Sequence, residues 1–156
     1  MSRYDAAMDR DENSAIIYSN EAFKLESTWT FSAATTGAVG SHTLFTVTGN
    51  VLVQVFGICD TNMAGSGADF EVGVTGNTAG IIAQIADVED LDDGDIYIDA
   101  TPEVGVAALP STFILNDGLD ILLKITGTAV TAGVIDFYCL WRPLSSTGNV
   151  TVTTPA

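Results

Sequence analysis

Positive charge is what this sequence has least of. Five Lys and Arg stand against twenty Asp and Glu in 156 residues, a formal net charge of −15, and after residue 24 only Lys124 and Arg142 are basic. A nucleic-acid binder needs a basic footprint on the phosphates, so that class is excluded, and anionic membrane surfaces are disfavoured for the same reason. Acidity favours solubility, association with cations, or a partner of opposite charge.

Histidine, cysteine and long apolar runs are also scarce. His42 is the single histidine and no G-x-S-x-G elbow occurs, so a nucleophile, base and orienter cannot be assembled in a recognisable pattern. One His and two Cys do not make a zinc ligand set. Cys59 and Cys139 lie eighty residues apart without metal-ligand spacing. The N-terminus, MSRYDAAMDRDENS, carries no apolar signal core, which implies cytosolic synthesis and reduced thiols. No window approaches the roughly eighteen apolar residues of a membrane span. Only 16% of residues are charged, against about a quarter in typical domains, so Thr, Ser, Asn, Gly and Ala must clothe much of the surface.

What is present reads as strand. Residues 1–28 form an N-terminal arm: nine charges fall in its first 26 positions without sustained alternation, and removal of 1–26 is expected to spare the fold. Residues 29–156 form one domain of about eight short strands, roughly 29–35, 42–48, 51–59, 68–75, 80–86, 95–99, 112–116, 119–126 and 134–142, with another near 149–153. Trp29 and Phe31 share a face, as do Ile121, Leu123 and Ile125, and Ile135, Phe137, Cys139 and Trp141. Cys59 shares parity with Val51, Val53 and Val55, so both cysteines read as small core residues. Thr-Gly-Asn recurs at 48–50, 75–77 and 147–149 as turn punctuation, and Gly49-Asn50 is the clearest expected hairpin. Short strands without crossover helices predict an all-β antiparallel sandwich of jelly-roll or Greek-key topology.

The densest chemistry is DVEDLDDGDIYID, residues 87–99, with seven carboxylates in thirteen positions. An EF-hand register fails: with Gly94 at loop position 6, Leu91 falls at 3 and Ala100 at 12. An irregular calcium cage from Asp90, Asp92, Asp93 and Asp95 stays open beside a solvated loop feeding a strand, with Ile96 and Ile98 inward and Asp95, Tyr97 and Asp99 outward. Contact with a basic partner is a further reading of the run. Paired carboxylates also serve glycosidases, but Trp29 and Trp141 fall on core parity and line no expected sugar cleft. The Met63–Gly67 loop lacks the helix and Lys of a phosphate cradle. No catalytic residue and no cofactor are expected.

Three segments, GSHTLFTVTGNVLVQVFGICDTNM (40–63), VGVTGNTAGIIAQ (72–84) and TAGVIDFYCLWRPLSSTGN (131–149), resemble small structural proteins of tailed-bacteriophage virions. The resemblance implies a non-enzymatic capsid decoration or cement protein on the outer surface of the head. Its partners would be the major capsid protein and further copies of itself, as a homotrimer. A head-fibre, neck or tail protein is the alternative within the virion; a host-surface or glycan-binding β-sandwich module is the alternative outside it.

Overall fold

The computed structural model describes residues 22–155, which form eleven strands and no α-helix. In chain order these are β1 (Phe23–Thr30), β2 (Gly40–Thr48), β3 (Val51–Ala64), β4 (Ala68–Val74), β5 (Asn77–Ile85), β6 (Asp95–Tyr97), β7 (Glu103–Val104), β8 (Phe113–Leu115), β9 (Ile121–Gly127), β10 (Ala132–Pro143) and β11 (Asn149–Val152). All pairings are antiparallel and fall into two sheets, one ordered β1-β10-β3-β6-β7 with β8 also on β3, the other ordered β11-β2-β9-β4-β5. The expected antiparallel sandwich is therefore what the chain forms, with eleven strands rather than about eight.

Period-two alternation explains the layering. In β10, Ile135, Phe137, Cys139 and Trp141 point inward, and in β9 Ile121, Leu123 and Ile125 meet them from the other sheet. Val51, Val53, Val55 and Cys59 of β3 complete that layer as expected. Both cysteines are free and buried. Cys59 lies opposite Ile135 and Cys139 opposite Val55. The thiols thus sit four residues apart along adjacent strands, about 13 Å, beyond disulfide reach.

Three expectations change. First, β1 begins at Phe23, so 23–28 belong to the sheet and not to an arm; residues 1–21 lie outside the described residues. Phe23–Thr30 pairs with Val134–Trp141 without a register shift, so removing 1–26 would cut half of this strand away. Exposed Lys24, Glu26 and Thr28 alternate with more buried Leu25, Ser27 and Trp29, and the charges had masked that pattern. The strand ends at Thr30 because Thr36 folds back, its hydroxyl donating to Thr30 O (2.7 Å) and accepting from Ser32 N (3.0 Å).

Second, Gly49-Asn50 is a corner and not a hairpin: β2 and β3 lie in different sheets. Two loops grip it. Gly49 N donates to Asp117 Oδ1 (2.7 Å), Asn50 N to Ser145 Oγ (3.0 Å) and Leu144 N to Asn50 O (2.8 Å). The true hairpin is at Thr75-Gly76, closing β4 on β5. Third, β6 presents the opposite face to that expected, as described next.

Candidate functional site: the acidic segment and the outer sheet face

The acidic segment is local turn architecture. Asp87 caps a short 3-10 turn over Val88–Asp90 by accepting from Glu89 N (3.0 Å), and Val88 and Leu91 on either side are fully buried. Glu89 Oε2 accepts from Gly65 N (3.2 Å), Asp95 Oδ2 from Asp92 N (3.0 Å) and Asp99 Oδ1 from Thr101 N (2.8 Å). Four of the seven carboxylates are thus occupied by backbone amides. Met63 N donates to Leu91 O (3.0 Å) and Gly94 N to Cys59 O (2.8 Å), stitching the segment along β3. That support lengthens β3 from the expected 51–59 to Val51–Ala64.

The proposed calcium ligands do not converge. Asp90, Asp92 and Asp93 are exposed, whereas Asp95 is buried and turned back on Asp92 N. Among the described residues no three His, Cys, Asp or Glu side chains lie so as to hold a metal ion.

In β6 the inward residues are Asp95 and Tyr97, with Ile96 and Ile98 half-buried on the other side. The expectation of Ile96 and Ile98 inward is inverted because Tyr97 spans the sandwich. Its ring packs on Phe70 (5.1 Å), and its hydroxyl lies 3.0 Å from both Phe70 O of β4 and Ala83 O of β5. Burial pushes its ionisation well above the usual phenol range, with Glu71 and Asp99 adding to the shift, so it remains a neutral donor. Hydropathy alone ranks Ile above Tyr for a core position. Two carbonyl partners reverse that order.

His42 is half-buried, with Nε2 2.7 Å from Ala38 O and its ring edge-on to Trp29 at 5.7 Å. It lines a cavity with Trp29, Thr35 and Thr36 near the start of β2. Cys59 Sγ donates to Thr61 O (3.2 Å), and burial raises its thiol to about 11 and that of Cys139 to about 12. Neither is poised as a nucleophile at neutral pH.

The two outer sheet faces differ in kind. On the β2-β9-β4-β5 sheet the outward positions include Leu122 and Lys124 of β9, but most outward groups are polar and several bond to one another: Thr46 with Thr153, Thr126 with Asp69, Thr78 with Glu71 and Gln84 with Thr126. That is the ordinary solvated face of an antiparallel sheet. On the β1-β10-β3-β6 sheet the outward positions carry Leu52, Phe56, Ile58, Ile96, Tyr138 and Leu140, all half-buried. Phe56 and Tyr138, directly opposite on β3 and β10, stack at 5.3 Å and 19°. Gln54 Nε2 donates to Pro110 O (2.8 Å), bringing the 105–112 segment beside this face, where Val106, Leu109 and Ile114 are all more than 60% exposed. This face is thus apolar around the Phe56–Tyr138 pair, with Gln54, Asp136 and Arg142 among the polar outward positions of β3 and β10. Periodicity flagged none of it, because it assigns one face of each strand to water.

Comparisons with protein-family models, with curated proteins and with solved structures return no match to this chain. Among the described residues no helix is long and apolar enough to cross a membrane.

Proposed function

We propose that this chain is a non-enzymatic structural protein of a tailed-bacteriophage virion, a decoration or cement protein that binds the outer surface of the head as a homotrimer and stabilises the shell. Its partner is the major capsid protein; nucleic acid and membrane take no part. The observation that carries the reading is the strand order. Setting aside the edge strands β7 and β11, we read the orders β1-β10-β3-(β6, β8) and β2-β9-β4-β5 as two interleaved Greek keys. We read them as a jelly roll, an architecture that recurs in viral capsid and lectin domains. The three segments that resemble phage proteins fall on the strands that build this order: 40–63 on β2 and β3, 72–84 on the β4-β5 hairpin, 131–149 on β10 and the approach to β11.

Fold alone does not assign a role, so the support is joint: a sandwich with an apolar outer face, and the resemblance. A shell strained by packaged genome gains from clamps that bridge subunit joints, and many weak clamps act together through symmetry. The test is to add purified protein to heads assembled without it and image them. Ordered density on the outer surface and a higher disruption temperature are expected. Absence of the protein from every head surface would reject the reading.

A further inference from the structure

The geometry points to the outer face of the β1-β10-β3-β6 sheet, centred on the stacked Phe56–Tyr138 pair, as a docking surface for a protein partner whose own surface is apolar in the middle and carries Lys or Arg at its rim. The inference stands on this face itself and holds whatever particle or cell the partner belongs to.

Three observations converge on that occupant. The face carries Leu52, Phe56, Ile58, Ile96, Tyr138 and Leu140 where its counterpart is mostly polar, with hydrogen-bonded Thr46, Thr78 and Thr126 beside Leu122, so the difference is a property of one surface and not of the sandwich as a whole. Its charged groups are mostly acidic: outward Glu26 and Glu103 on the flanking strands, Asp60 at the end of the β3 row and Asp136 beside Ile58 on β10, against Lys24 and Arg142. Tyr138 registers that field, its phenol pushed up to about 12 by a hydrogen bond to Glu26, by burial and by the charges of Glu26, Asp136 and Asp60. Finally, the chain already seats a cation here: Lys24 Nζ lies over the Tyr138 ring at 5.8 Å.

An apolar centre whose neighbouring charges are four carboxylates against two cations complements a basic rim and fits a second copy of the same face poorly, since carboxylates would meet carboxylates. Stacking also turns the two ring faces toward each other, and Lys24 Nζ lies over the Tyr138 ring. Little free aromatic face is left for a sugar ring to stack on. The partner is therefore a basic-rimmed protein surface and not a glycan or a sister subunit.

The probe is a short peptide alternating Leu with Lys, with a matched Leu/Glu peptide as control, titrated into the isotopically labelled full chain by amide NMR. Expected are shifts confined to Leu52–Ile58, Glu26 and Asp136–Leu140, weakening with added salt, and no response to the Leu/Glu peptide. Phe56→Ser is expected to weaken binding at least tenfold. Because it removes part of the apolar face, Glu26→Gln with Asp136→Asn serves as a second variant that leaves that face intact; it too is expected to weaken binding several-fold. Four results would overturn the inference: equal response to the Leu/Glu peptide; shifts centred on 87–99 and unchanged in both variants; concentration-dependent self-association lost in Phe56→Ser, which makes a second copy the occupant; or oligosaccharide shifts at Phe56 and Tyr138 stronger than the peptide's. None of these bears on whether the protein binds heads.

Discussion

Tyr97 shows how one side chain can overrule a strand's hydropathy. It is fully buried, and its hydroxyl serves carbonyls on two strands of the opposite sheet beside the register shifts of the β4-β5 pairing. Tyr97→Phe keeps the ring but leaves both carbonyls without this donor, a cost of about 1–3 kcal/mol. A chain of this size should then melt roughly 2–12 °C lower. Tyr97→Leu loses ring volume as well and should cost more. If calorimetry finds Tyr97→Phe as stable as the wild type, the hydroxyl is not the bolt between the sheets. The same residue marks the limit of reading faces from alternation. Ile96 and Ile98 dictated the inward side on hydropathy, whereas the phenol's hydrogen bonds, invisible in a one-dimensional pattern, set it the other way.

At the scale of elements, corners decide the architecture. Gly49 has φ 65°, and a Cβ there would meet Gly148 N and Ser145 Oγ at 2.7 Å. Gly49→Ala therefore adds left-handed backbone strain of about 1–2 kcal/mol to a clash with the 144–148 loop. The expected outcome is destabilisation of at least about 2 kcal/mol by urea unfolding. Gly76→Ala in the true hairpin meets nothing within 4 Å and carries only the backbone term, so it should be milder. Equal losses at the two sites would mean that the loops do not grip the corner. Both turns share the triplet Thr-Gly-Asn, which is why sequence could place them but not sort them. A turn signal gives the reversal; whether the next strand pairs with the last or crosses to the other sheet depends on the remote Asp117 and Ser145. Strand existence was legible for the same physical reason that the core was: apolar residues recur at period two in β3, β9 and β10. The charged start of β1 and the two-residue β7 carry too little apolar signal. The acidic run was conspicuous but is turn scaffolding, and the apolar outer face drew no signal because it sits where alternation expects water.

For the whole molecule, the titrating groups whose shifts are resolved all point to alkaline sensitivity. Burial raises Cys59 from 9.0 to about 11 and Cys139 from 9.0 to about 12, while Tyr138, hydrogen-bonded to Glu26, rises from 10.0 to about 12. Each group holds its proton more tightly folded than unfolded. Their contribution is complete below about pH 9, where both states are protonated. Above that the unfolded chain releases protons first, so stability falls as pH climbs toward 12, the thiols acting before the phenol. The urea midpoint should therefore hold level up to about pH 9 and then decline. The double variant Cys59→Ala, Cys139→Ala will be less stable at neutral pH, because it empties part of the core, so its slope and not its level is the readout. A flatter decline between pH 9 and 11 is expected for it. A decline equally steep in the double variant would trace the alkaline loss to repulsion among the twenty carboxylates and the tyrosines and not to the buried thiols.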